Sequence, residues 1–212
     1  MSKSFKKILF SSLVVTLFIV ANLIGLKYTT IFGYVVSMGF MLYPFIALSI
    51  LLLFDTFSKK DAYYAITSTI FIQMFLLIFY SLTSSLNGQL IVPDIGSAVS
   101  QVFHVDEVRI MGSLIAFMIA NYFLIYTFDF FRRIKQRMIG FFLGSVISLT
   151  VYSIINIFIS SYGFGKEIVI ELILGHSVVN GIMALVTTVI FFFLKEKECE
   201  VEEEICLECK CD

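Results

Sequence analysis

Charged side chains are scarce in this chain, at 15% of 212 residues, whereas hydrophobic residues make up 59%. A soluble domain of this length could not cover that much apolar surface with so few charges. The net charge of −1 combines basic and acidic residues that are separated along the chain and form no single basic face. Nucleic acid is therefore not an expected partner, and membrane lipid is the expected surrounding.

Motifs that mark enzymes are also missing. The sequence contains no His-Glu-x-x-His metal motif, no Gly-x-Ser-x-Gly nucleophile turn and no Walker phosphate loop. The apolar runs leave no stretch long enough for a soluble catalytic domain. We therefore expect no enzyme, no cofactor and no metal site within the membrane part.

Six apolar runs occupy most of the chain, each near the length of about 20 residues that a helix needs to cross a bilayer. Their predicted cores are residues 5–26, 34–54, 63–85, 110–131, 138–162 and 168–194. This pattern predicts an all-α integral membrane protein with six transmembrane helices in a domain spanning residues 1–195. Residues 196–212 then form an acidic, cysteine-rich tail.

Lysine and arginine are distributed unevenly among the connections. Twelve of the 15 lie at the two termini and in the second and fourth connections, and the others are Lys27, Arg109 and Lys166. The positive-inside rule therefore places both termini in the cytoplasm. The first run is not a cleaved signal, because it continues past Ala21 and its removal would reverse this alternation.

The third connection, residues 86–109, is the long one. It holds the turn sequences Asn87-Gly88 and Pro93-Asp94 around a weakly apolar middle. Such a segment is either a surface connector or an interfacial or re-entrant piece that caps a binding site from outside.

Four cysteines, interleaved with glutamates, crowd the predicted tail: Cys199, Cys206, Cys209 and Cys211. A Cys-x-x-Cys pair beside another thiol can hold zinc or respond to redox state. An acidic segment of this composition is, however, predicted to be disordered, and its thiols stay reduced if it is cytoplasmic.

Small residues recur at helical spacing in the last three runs. The fifth run carries a ridge of Gly140, Gly144, Ser148, Tyr152 and Asn156, and similar faces occur in the fourth and sixth, at Gly112, Ala116, Ala120 and Asn121 and at His176, Asn180 and Ala184. Glycine and alanine at this spacing let helices approach closely, so we read them as packing contacts.

Polar side chains inside the runs point to a site. An unpaired amide in hydrocarbon costs several kcal/mol, so an amide there pairs between helices or faces a cavity. Five amides lie on five separate runs, and Tyr43 and His176 add further hydrogen-bonding groups. The predicted substrate-binding residues are Asn22, Tyr43, Gln73, Asn121, Asn156, His176 and Asn180.

Three further residues have candidate roles. Glu171 and His176 either carry a coupling ion or mark the membrane interface, because His titrates near neutrality and burial raises the proton affinity of Glu. Pro44, within the second run, is expected to kink that helix and free a backbone carbonyl beside Tyr43.

The order of several short segments resembles the queuosine precursor transporter family, also called the vitamin uptake transporter family. The matching segments are Ala21-Asn22, Gly33, Gly39, Tyr43-Pro44-Phe45, the turn from Asp55 to Lys60, Arg109-Ile110, Ser113 to Phe117 and Leu194-Lys195. The chain departs from the family pattern at Leu51, Ser58 and Asn180, where an acid, a glycine and a lysine are usual.

This resemblance implies a six-helix importer in the bacterial inner membrane, driven by an ion gradient. The implied substrate is a 7-deazaguanine such as 7-cyano-7-deazaguanine, 7-aminomethyl-7-deazaguanine or queuine. A flat, neutral heterocycle of this kind suits amides that read its edge and aromatic rings that stack on its face.

Two other classes stay open from the sequence. The substrate-binding subunit of an energy-coupling-factor vitamin importer has a similar length, but its usual Ala-x-x-x-Ala contact is replaced in the first run by Ser11, Ser12 and Ala21. A purely structural membrane protein would carry the dispersed amides without using them. The sequence leaves an oligomer open.

Overall fold

The computed structural model describes residues 3–25, 27–31, 33–85, 107–160 and 166–208. Within these ranges the chain forms six long helices, and six segments are long and apolar enough to cross a membrane. The helices are α1 (Lys3–Ile24), α2 (Tyr43–Thr56), α3 (Lys59–Ser85), α4 (Glu107–Arg133), α5 (Arg137–Ser160) and α6 (Lys166–Glu208). The predicted all-α fold with six spans is confirmed.

A short β-hairpin precedes α2 and was not predicted. Strands β1 (Tyr28–Ile31) and β2 (Tyr34–Ser37) pair antiparallel, with Tyr28 opposite Ser37. Gly33, in the connection, has a φ of 84°, which glycine adopts without strain. A 3₁₀ turn, Met38–Leu42, then leads into α2. The prediction that the second helix begins at residue 34 was therefore wrong.

Helix α2 is the buried centre of the bundle, and nearly all of its side chains lie in the core. Pro44 sits in its first turn. An N–H at that position has no partner within the helix, so proline is tolerated there without bending the axis. The expected kink in the middle of this helix was wrong, because the helix starts later than its apolar run.

Helices α4 and α5 are antiparallel neighbours that pack closely along the predicted small-residue ridge. A Cβ added at Gly140 would lie 2.5 Å from Cβ of Phe131, and one added at Gly112 would lie 2.7 Å from Cγ2 of Ile159. Such distances leave no room for a side chain. The interpretation of these glycines as packing contacts agrees with this geometry.

Ion pairs join the helix ends at the end of the bundle away from the hairpin. Asp55 is almost fully buried and lies 3.1 Å from Lys195 of α6 and 3.9 Å from Arg137 of α5. Asp129 of α4 pairs with Lys59 of α3 at 3.0 Å. The other pairs are Asp61 with Lys7 and Asp129 with Arg133. Every helix contributes at least one charged side chain to this set.

Two predicted segments are outside what the structure tests. Most of the long connection, residues 86–106, lies outside the described residues, and so does its predicted capping role. Helix α6 continues past the predicted domain boundary at residue 195 to Glu208. That boundary, the disorder expected of the tail and any role of its cysteines stay predictions.

Candidate substrate site

Four helices bring hydrogen-bonding side chains together where the hairpin meets the bundle. Ser113 of α4 lies at the centre, with its Oγ 2.7 Å from Oδ1 of Asn22, 2.7 Å from the Tyr152 hydroxyl and 3.1 Å from the Tyr43 hydroxyl. The hydroxyls of Tyr43 and Tyr152 also contact each other directly. We call these four residues the hydroxyl cluster.

The direction of hydrogen bonding in this cluster follows from counting protons. Ser113 has a single hydroxyl proton and donates it to Asn22. The hydroxyl protons of Tyr43 and Tyr152 must then serve the contacts among these two residues and Ser113, whose oxygen accepts at least one of them. All three hydroxyl protons are thereby used, while Nδ2 of Asn22 is buried and has no partner within the described part of the chain. Asn22 is therefore the member with donor capacity left for a ligand.

Aromatic rings form one wall of the cluster. Phe40, in the 3₁₀ turn, stacks on the His176 ring with centroids 3.8 Å apart and planes 16° from parallel. Phe40 also contacts the rings of Tyr43 and Tyr152, at 5.6 Å and 5.3 Å. A planar ring beside hydrogen-bonding groups is the usual composition of a site for a flat heterocycle.

His176 connects this wall to the hairpin. Its Nε2 accepts a hydrogen bond of 3.0 Å from the backbone N–H of Ser37, and its buried Nδ1 has no partner among the residues that the structure describes. Ser37 also donates through Oγ to the carbonyl of Gly25, which accepts from the Arg109 guanidinium as well. The end of β2 is thus fixed to α6 and to the end of α1.

Two more predicted site residues adjoin the cluster. Asn180 lies one turn beyond His176 on α6 and donates to Oγ of Ser153 on α5 at 2.9 Å. Asn156 is buried one turn beyond Tyr152 on α5. Asn180 therefore lies on the same face of α6 as His176 and deeper in the bundle, whereas Asn156 lies on the face of α5 that carries Tyr152, toward the end of α5 that packs on the start of α4.

The remaining predictions are placed elsewhere. Asn121 donates to the carbonyl of Phe117 in its own helix. Gln73 is buried on α3, where its Oε1 finds no hydrogen-bond partner among the described residues. Glu171 is exposed near the start of α6. The structure therefore gathers Asn22, Tyr43 and His176, with Asn156 and Asn180 adjoining.

Sequence reasoning left Ser113, Tyr152, Phe40 and Ser37 out of the site. Tyr152 stood in the small-residue ridge one turn from Asn156, so the four-residue spacing carried a signal for it. Ser113 follows Gly112 at the start of another such ridge. Phe40 and Ser37 carried no signal, because their roles depend on a hairpin that the apolar pattern conceals.

These features define a class of protein. A bundle of six membrane-spanning helices encloses a buried, hydrogen-bonding cluster that is not itself charged, and the described residues include no group of metal ligands. A sequence model of the family described as putative vitamin uptake transporter matches residues 37–194, and the chain belongs to this family. The resemblance noted from the sequence is confirmed. No curated protein and no solved structure matches the chain.

Proposed function

We propose that this protein imports a queuosine precursor, a 7-deazaguanine, across a bacterial inner membrane, using an ion gradient. Membership of a vitamin uptake family supports transport of a small molecule. The observation that carries the substrate class is the buried Nδ2 of Asn22, which has no hydrogen-bond partner among the described residues and belongs to a cluster whose tyrosine rings contact Phe40.

The chemistry of the substrate fits these groups. A deazaguanine presents a carbonyl acceptor next to two N–H donors on one edge and has two flat apolar faces. The amide of Asn22 supplies a donor for the carbonyl, the tyrosine hydroxyls supply acceptors, and Phe40 supplies a stacking face. None of these groups is charged, which suits a substrate that is itself largely neutral.

The site we propose consists of Asn22, Tyr43 and His176 at its centre, with Asn156 and Asn180 adjoining it along α5 and α6. Gln73 and Asn121 stay predicted contacts that would need another conformation to reach it. Glu171 stays a predicted coupling group beside His176.

Entry of the substrate requires the hairpin to move. The rings of Phe40 and His176 are in direct contact at 3.8 Å, so a heterocycle cannot lie between them in this conformation. Movement of the hairpin and the 3₁₀ turn away from α6 would separate these rings. The structure therefore corresponds to a closed form of the proposed transporter.

Uptake in cells that cannot synthesise queuosine tests this function. Each precursor is supplied to cells with or without the protein, and queuosine in tRNA is measured. We expect modification at low external precursor only when the protein is present. No modification with any precursor, despite normal expression in the membrane, would overturn the proposal.

The same assay tests the energy source. Uptake should persist without any co-expressed ATP-hydrolysing subunit and should collapse when ionophores dissipate the proton or sodium gradient. A strict need for such subunits would instead assign the chain to the energy-coupling-factor importers.

A further inference from the structure

Two of the contacts that hold the end of the hairpin and the 3₁₀ turn against the bundle involve His176, and a third joins Ser37 to the end of α1. The Ser37 N–H donates to Nε2 of His176, the Phe40 ring stacks on the same imidazole, and Ser37 Oγ bonds to the Gly25 carbonyl. Ser37 is 2% exposed and His176 is 1% exposed. The imidazole therefore joins α6 both to the end of β2 and to the 3₁₀ turn that follows it.

The hydrogen bond from Ser37 fixes the protonation state of the imidazole. Nε2 can accept it only when that nitrogen carries no proton, so the ring is neutral and its proton is on Nδ1. A proton added to Nε2 would turn the acceptor into a donor facing another donor. Protonation of His176 and attachment of Ser37 therefore exclude each other.

From this exclusion we infer that His176 is a proton-operated latch, whose protonation releases the hairpin and the Phe40 ring and so opens the substrate site. The biological role of this latch rests on the proposed transport function, whereas the coupling of protonation to hairpin release does not. Binding of a proton by His176 would then be coupled to opening of the substrate site through movement of the hairpin.

The groups that face His176 from the neighbouring elements, among the described residues, are neutral or positively charged. Tyr43 and Tyr152 face the site from α2 and α5 with neutral hydroxyls, and Tyr34 of the hairpin packs on Gly175. Arg109 of α4 places a positive charge at the Gly25 carbonyl, to which Ser37 Oγ also donates. Among the described residues no carboxylate pairs with the imidazole, so an added charge would have no partner on the protein and would need water.

The direction of the pH effect follows. Because only the open form binds the additional proton, acidification raises the ratio of open to closed molecules, by up to about tenfold per pH unit. An acidic exterior would therefore open the site on the side from which an importer collects its substrate.

Hydrogen exchange at the Ser37 amide tests the latch without any substrate. The full chain in detergent is compared with the His176→Gln variant, whose side-chain carbonyl accepts the same bond but does not titrate. Between about pH 7.5 and about pH 5.5, the ratio of the Ser37 exchange rate in the parent to that in the variant should rise several-fold. The ratio removes the intrinsic pH dependence of exchange.

A ratio that does not change with pH would overturn the latch. If the variant does not fold, peptides from α5 within the parent serve as the reference, and a constant ratio of hairpin to α5 exchange is equally decisive. Ser37→Ala is the matched control, because it removes the Oγ bond and keeps the N–H, so its pH response should persist.

Transport supplies a separate readout. Uptake by the parent should increase with external acidity, and the His176→Gln variant should lose this response. If exchange shows the pH response and no precursor is transported, the proposed substrate is wrong while the latch stands. Transport without any pH response in exchange leaves the proposed function and removes the latch.

Discussion

At the scale of single residues, Ser113 determines what Asn22 can offer to a ligand. Its hydroxyl proton is donated to Oδ1 of Asn22, which leaves the donor end of the amide, Nδ2, without a hydrogen-bond partner among the described residues. The hydroxyls of Tyr43 and Tyr152 complete the arrangement, and at least one of them donates to Ser113. The cluster thus orients the Asn22 amide but leaves one of its hydrogen-bond donors without a partner among the described residues. Such an arrangement is expected of a binding site more than of a packing contact, where buried polar groups are normally paired.

Replacement of Asn22 by leucine tests this role. The change removes the unpaired donor while nearly keeping the side-chain volume, so substrate binding should weaken by about 1 to 3 kcal/mol. Binding is measured by isothermal titration on the purified protein. Thr188→Val is the control, because that hydroxyl bonds only within its own helix, to the carbonyl of Ala184. Equal affinities for parent and Asn22→Leu, with normal expression, would remove Asn22 from the site.

At the scale of elements, the hairpin can sit against the bundle only because glycines allow close backbone contact. A Cβ on Gly39 would lie 2.9 Å from Cα of Gly25 and would also collide with the carbonyl of Ala21. A Cβ on Gly175 would lie 2.9 Å from Cβ of Tyr34. Backbone atoms cannot yield as a side chain can, so these positions require glycine.

Gly39→Ala should therefore destabilise the protein by about 1 to 3 kcal/mol, as overpacking does. Gly181→Ala is the matched control, since its Cβ would meet nothing within 4 Å. Alanine also favours a helix interior by up to about 1 kcal/mol. Thermal unfolding in detergent should thus rank Gly181→Ala at or above the parent and Gly39→Ala below it. Unchanged unfolding of Gly39→Ala would mean that the hairpin packs less closely than described.

The helices were predictable from the sequence, whereas the hairpin was not. Six spans follow from apolar runs because crossing a bilayer requires a fixed length of continuous hydrophobic sequence. The hairpin was missed because residues 34–37 are as apolar as the helix that follows, and apolar content alone does not separate strand from helix. The error over Pro44 came from the same residues. Once the helix starts at Tyr43, proline is in its first turn.

The candidate site was predictable only in part. Tyr43, Asn22 and His176 could be selected because polar groups in apolar helices are few and costly. Ser113 joins Asn22 to Tyr152 because of the way α1, α4 and α5 are rotated about their axes. The spacing of residues along one helix does not determine that rotation. Asn121 illustrates the converse, since its amide is satisfied within its own helix.

At the scale of the whole molecule, the two ends of the bundle differ in chemistry. One end holds the hairpin and the hydroxyl cluster, and the other holds the ion pairs of Asp55, Asp61 and Asp129. Helix α2 spans the distance between them, with Tyr43 at its start and Asp55 near its end. Movement of this buried helix would change the contacts at both ends of the bundle. Alternating access requires such a connection between the two ends.

The last prediction concerns which end faces the cytoplasm. The basic residues of the ion-pair end belong to the segments that hold twelve of the 15 lysines and arginines, so this end and both termini should be cytoplasmic. Reporter tags at either terminus or after Lys59 should therefore be active only inside, and a tag near Pro93 only outside. Single-cysteine labelling at the same positions, in a variant with the four native cysteines replaced by serine, provides the independent control. An external carboxyl terminus would contradict the even number of crossings, and a cytoplasmic Pro93 would place the hairpin on the inner face. Either result would also reverse the side from which a proton could reach His176.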